Sequence, residues 1–348
     1  MRAIAELSGE KQIPPFGRND KAGLWGRRRG LWARTWATAG AAVWAGMAVL
    51  AKMGIARVGA IELLFLFAPL VIVPLGMELG RVLGETGKVE ELAVRLQPAA
   101  AALAVLAMWL PPGRRAGFAA MGWMAVCGLM GWSGFALIFR AFWTDAGKSV
   151  RTTRIVMGIA RMDLVVGGAW LVASRLGMRP MGIQEPIGLL TAVHFHFAGF
   201  ATAMIAVATF QCLELRARLS SELRWLKLIV LMVAGMPIVV AAGFVISPVV
   251  KMGAAVLFSA SVAGLAIAVR GCGRKAEDPT ARILLQIATG AVFAGMVLSG
   301  VYAVADYMGS DALTIPQMAR SHGILNAVGF CMLGLLGWVM ERSGVREG

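Results

Sequence analysis

The chain has 348 residues, of which 58% are hydrophobic and only 15% charged, and its mean hydropathy is +0.73. That balance excludes a soluble globular domain, and the 43 glycines with alanine-rich runs suit close helix packing in lipid rather than disorder. The net charge of +15 does not point to nucleic acid, because Lys and Arg cluster between apolar runs instead of forming a separate basic domain.

In chain order, residues 1–33 form a polar, basic lead carrying Lys11, Arg18, Lys21 and Arg27-Arg28-Arg29. Pro14-Pro15 and several glycines argue against a helix over most of it. The arginine run before Leu31-Trp32 faintly resembles an export signal, but the apolar stretch that follows leads straight into further spans. A cytoplasmic tail before a retained first helix is expected. Windows of about twenty apolar residues then recur, at 34–51, 60–80, 97–112, 116–139, 155–174, 187–210, 226–247, 250–269, 283–305 and 322–340. The third ends at Pro111-Pro112 and Arg114-Arg115, which predicts a tight helical hairpin.

The expected fold is an all-α, polytopic transmembrane helix bundle of about ten spans, with eight or nine left open. Residues 34–341 form its single membrane domain. With ten spans, 25 of the 34 Lys and Arg fall on the side of the N-terminus and 8 opposite, leaving Arg161 within a span. The positive-inside rule then puts both termini in the cytoplasm, and a cell (inner) membrane is the expected location. Cys127, Cys212, Cys272 and Cys331 show no CxxC spacing, so packing is expected of them rather than disulfides or zinc. Trp123, Trp132 and Trp143 read as packing or interface anchors, and Glu78, Glu85, Glu90 and Glu91 as a solvated loop.

Polar residues inside the apolar windows carry the functional signal. Two of the three histidines stand in EPIGLLTAVHFHFAGF, Glu185 to Phe200. At about 1.5 Å per residue, His194 lies roughly 10 Å below the outer face and His196 roughly 14 Å. His322 and Asn326 fall one turn apart at the outer entry of the tenth span, while Glu62, Glu185 and Asp306 mark outer helix ends. In IVMGIARMDLVVGG, Arg161 can extend to the cytoplasmic interface, but the shorter Asp163 must be paired, protonated or open to a cavity. An ion pair of Asp163 with Arg161 or with an arginine of another helix is the plain structural expectation.

Three stretches together resemble the YndJ-like family of bacterial integral membrane proteins: IELLFLFAPLVIVPLG, EPIGLLTAVHFHFAGF and IPQMARSHGILNAVGF. The resemblance implies a polytopic membrane protein and no activity, so the chemistry must come from the residues.

Helical residues i and i+2 point about 200° apart, so an unbroken helix cannot aim His194 and His196 at one metal ion. VHFHFAGF is similar to a local string of heme–copper oxidases, but three histidines cannot ligate two hemes with two each. One heme or divalent metal held by His194 or His196 with His322 remains arithmetically available, with His196 and His322 as the metal ligands to test. HExxH and GxSxG are absent, which leaves Ser321, His194 and Asp163 as a weak catalytic set and argues against an enzyme. The expected site is therefore polar and intramembrane: His194, His196, His322, Asn326, Asp163, Glu62 and Glu185. Transport-like handling of protons or a small ligand comes first, a heme or metal redox protein second, and a structural or sensory protein without chemistry third. The lipid bilayer is the expected partner, with a small molecule or ion as ligand and no nucleic acid.

Overall fold

The computed structural model describes residues 20–344 apart from 57, 146, 216–219 and 311, with backbone alone for 20–34, 220, 222 and 344. Residues 1–19 of the expected tail lie outside the described residues, as do the sites of Arg216 and Arg218. Every described secondary-structure element is helical. Nine helices among the described residues are long and apolar enough to cross a membrane. They are α2 (Ala60–Val82), α3 (Lys88–Trp109), α4 (Arg114–Trp143), α5 (Lys148–Leu176), α6 (Ile187–Glu214), α7 (Leu223–Ile246), α8 (Pro248–Gly273), α9 (Pro279–Tyr307) and α10 (Ile315–Ser343). Before them runs α1 (Asp20–Lys52), which reaches back into the lead that glycines and prolines had marked as non-helical. Only its last part is apolar; the preceding turns carry arginines, which are good helix formers.

Turn chemistry separates the helices. Gly177 ends α5 in a left-handed conformation, Ser247 caps α8 through the Val250 N–H, and Asp278 caps α9 through the Ala281 N–H. The α8–α9 turn is also held from α10, where the Glu341 carboxylate accepts the backbone N–H groups of Glu277 and Asp278 at 3.0–3.2 Å.

Helices α2 and α6 are the most enclosed, and α10 packs with both. On the outside, α4 presents Trp132, Phe135, Phe139, Phe142 and Trp143 as an exposed apolar stripe, the face a helix offers to lipid. Helix α1 docks along α2: Trp44 Nε1 donates to the Leu63 carbonyl at 2.7 Å, and its ring meets Phe67 edge-on. At Gly40 there is no room for a side chain, because a Cβ would run into the Leu70 carbonyl. Gly40→Leu is therefore expected to lift α1 from α2 and lower the unfolding temperature of the purified protein, whereas Gly46→Leu, which meets open space, leaves it unchanged.

The three central helices share a departure from α geometry. Each contains π-helical turns: Ala68–Ile72 in α2, Phe195–Ala201 in α6, and Ala319–Gly323 with Leu325–Met332 in α10. Local causes are visible. Pro69 brings no N–H to the ladder in α2, and its own carbonyl is taken by Gln97 Nε2 from α3 at 2.6 Å. In α6 the Thr202 hydroxyl donates to the Phe197 carbonyl, and in α10 the Asn326 amide donates to the His322 carbonyl. A side chain that claims a ladder carbonyl loosens the turn around it. The π turns of α2, α6 and α10 meet one another near the centre of the bundle.

Candidate functional site

A cavity of about 440 Å³ opens among α6, α7, α8, α9 and α10. At one end it is lined by Ile187, Lys251, Asp306 and Ile315, all at helix ends on the same face. It runs inward to Thr202, Val262 and Cys331. The volume is that of a small-ligand pocket, and the lining has the usual form of a mostly apolar wall with a few placed polar groups.

His194 projects into this cavity. Its Nδ1 lies 2.9 Å from the Leu190 carbonyl, which requires an Nδ1–H donor and leaves Nε2 as the ring's lone pair. His322 lines the same space from α10. Its Nδ1 lies 2.9 Å from the Gly295 carbonyl of α9 and 3.2 Å from the Asn326 amide nitrogen; the shorter contact, to a carbonyl, is met by Nδ1–H, and the amide then cannot donate to the same nitrogen. Asn326 stands beside it, its amide engaged by the His322 carbonyl at 2.7 Å. At the mouth, Lys251 pairs with Asp306 at 2.6 Å and lies over the Phe244 ring. Neither Lys251 nor its pairing was foreseen, although a lysine in the apolar stretch PVVKMGAAV was the available signal.

His196 points elsewhere and is fully buried. Trp123 Nε1 of α4 donates to its Nε2 at 2.9 Å, and its Nδ1–H donates to the Ala192 carbonyl at 2.8 Å. Phe65 meets the ring edge-on and Trp123 stacks beside it. Both nitrogens are occupied, so the imidazole has no lone pair left for a metal. Taking His196 and His322 as a ligand pair would break the Trp123 bond. Trp123 is thus a partner of His196 rather than an interface anchor, whereas Trp132 and Trp143 do face outward.

Asp163 lies behind the π turn of α6, outside the cavity lining. Its side chain rests on Gly199, where a Cβ would come within 2.6 Å of Oδ2. Among the described residues Oδ2 has no hydrogen-bond partner, and the expected pair with Arg161 is not formed. Arg161 extends the other way: it pairs with Glu90 at 2.8 Å and donates to Ser133 Oγ and the Glu85 carbonyl, each at 2.8 Å. Glu90 and Glu78 are therefore buried rather than solvated; Arg81 pairs with Glu78, and Arg154 and Arg140 flank Glu85. Arg161 is the only long cation reaching this layer from the middle of α5, and Glu90 satisfies its charge more fully than a short Asp two residues away on another face.

Glu62 and Glu185 also stand outside the cavity lining. The Glu185 carboxylate accepts the Leu189 N–H at 3.1 Å, which secures the start of α6. Ser321 donates to the Gln317 carbonyl, so Ser321, His194 and Asp163 form no catalytic set. Among the described residues no group of three or more His, Cys, Asp or Glu is placed to hold a metal, and the four cysteines are buried and form no disulfide.

The structure thus has two polar layers. One is the cavity with His194, His322 and Asn326; the other is the Glu90–Arg161 cluster toward the opposite ends of the helices, with Asp163 between them.

Comparison with known proteins gives the chain its place among relatives. It is 26% identical over 248 residues to the "Uncharacterized membrane protein YndJ" of Bacillus subtilis (strain 168), a match covering 71% of this chain and 42% of that protein. The chain thus spans less than half the length of that relative. No solved structure matches. The model of the YndJ-like protein family matches residues 63–330, which take in most of α2, all of α6, the first part of α10 and both cavity histidines. The chain is a multi-pass membrane protein belonging to the YndJ-like family.

Proposed function

We propose that this protein admits a small ligand from the outer side of the membrane into the α6–α10 cavity and handles it as a carrier would. The observation that supports the reading is the cavity itself, a mostly apolar space lined by two imidazoles and an amide. Polar groups at that depth are expensive to keep and typically line ligand or ion paths.

The reading includes ten spans, with α1 as the first, and both termini in the cytoplasm. Its support is the bias of 25 against 8 in Lys and Arg, together with the docking of α1 by Trp44. On that orientation the Lys251–Asp306 mouth opens outward, while Glu85, Arg140 and Arg154 lie at the cytoplasmic ends.

Thiol labelling tests it. The native cysteines are buried, so a cysteine introduced at Ala198, on the cavity wall, supplies the signal. In intact spheroplasts, Ala198→Cys should react with a membrane-impermeant maleimide, and Asp145→Cys, exposed at the end of α4, only after permeabilisation. The reverse pattern would place the mouth on the cytoplasmic side and overturn the reading.

A further inference from the structure

The arrangement of donors in the cavity narrows the ligand. Both cavity histidines give Nδ1–H to a main-chain carbonyl, Leu190 for His194 and Gly295 for His322. Among the described residues neither Nε2 has a partner, and both rings line one space. A backbone carbonyl on one ring nitrogen, with the other left open, is the way proteins orient an imidazole toward a metal ion. The two histidines come from helices far apart in sequence, so the fold and not a local motif brings them together.

Charge then decides which kind of ion. The lining contains a single carboxylate, Asp306, and Lys251 already neutralises it. A divalent ion between two neutral imidazoles would leave its charge uncompensated in a largely apolar space, and the solvation cost rises with the square of that charge. A monovalent ion content with neutral nitrogen and sulfur donors fits better. Met252, Met296 and Met318 offer thioethers on the same lining, and soft donors of this kind select monovalent copper. We infer that His194 and His322 form a binding site for Cu(I), with the Nε2 atoms as ligands and an ion in transit as the bound species. Two protein nitrogens leave the coordination open, as suits release rather than a closed structural site. This inference rests on the cavity reading above and names its ligand.

The test uses the full chain in detergent or nanodiscs under anaerobic conditions, titrated with Cu(I) against a chromogenic chelator and separately with Zn(II). One Cu(I) per chain is expected, with affinity falling by more than about 100-fold in His194→Gln and in His322→Gln, since loss of even an outer partner typically costs about 10–100-fold. The cysteine variant Cys331→Ser, which removes the thiol on the cavity lining, should keep the site. X-ray absorption of the loaded wild type should show two imidazole scatterers, a readout that does not depend on whether the histidine variants fold. Absence of Cu(I) binding, sulfur-only coordination, loss of binding in the cysteine variant, or tighter histidine-dependent binding of Zn(II) would each overturn the copper assignment. If Ala198→Cys is still labelled from outside, such a result leaves the cavity reading intact. If that labelling fails as well, the cavity reading falls with it.

Discussion

Glu90→Ala should destabilise the protein by about 3–5 kcal/mol, because it leaves the Arg161 guanidinium buried and unpaired. Both partners are almost wholly inaccessible, at 1% and 2% exposure, so water cannot take over the lost charge. The Ser133 hydroxyl and the Glu85 carbonyl still accept from Arg161 but carry no full negative charge. The pair itself need not be strongly stabilising, since two desolvation costs oppose its attraction. Replacing both together, as Glu90→Leu with Arg161→Met, should therefore recover most of the loss. Unfolding of the purified protein in mixed micelles checks both statements. A single variant costing under about 1 kcal/mol would mean that water or another counterion reaches Arg161.

Trp123→Ala should cost about as much, roughly 3–5 kcal/mol, by opening a large hole between α4 and α6. Trp123 is fully buried against His196, and among the described residues the indole N–H is the one donor to that Nε2. Trp123→Phe separates the two contributions. It keeps most of the ring volume and removes the donor, leaving a buried imidazole nitrogen unsatisfied at a cost of about 1–3 kcal/mol. His196→Phe in the same background should regain part of this, since it removes the stranded acceptor. Thermal unfolding followed by tryptophan fluorescence gives the ordering: wild type, then Trp123→Phe, then Trp123→Ala. If Trp123→Phe were as stable as wild type, the His196 ring would be serving something other than Trp123.

Much of the architecture is legible from hydropathy alone. Eight of the ten apolar windows fall inside a continuous helix, because about twenty apolar residues between Pro, Gly and charged turns leave few other structures in lipid. The third and seventh overrun their helices, at residues 110–112 and at Ser247. The parting of His194 and His196 is likewise contained in the i, i+2 spacing, since one faces the cavity and the other Trp123. Pairings across helices were not legible. Glu90 and Glu91 look alike in sequence, yet it is Glu90 that is buried against Arg161, and that placement depends on which face of α3 turns toward α5. The π turns were hidden for a similar reason. They arise where Thr202 and Asn326 take ladder carbonyls, and a Thr or Asn in an apolar run does not announce which carbonyl it will reach. Depth along a helix can be counted from the sequence, but which helices share a cavity cannot. Asp163 and His196 have the depth of the site without belonging to its lining.

The central claim is an outward-facing cavity walled by α6 and α10, and sided labelling of Ala198→Cys in intact spheroplasts measures it most directly. The expected result is rapid modification by an impermeant maleimide added outside, slowed when Cu(I) is bound, with Asp145→Cys protected until the membrane is opened. Modification of Ala198→Cys only after permeabilisation, with Asp145→Cys already reactive outside, would contradict it.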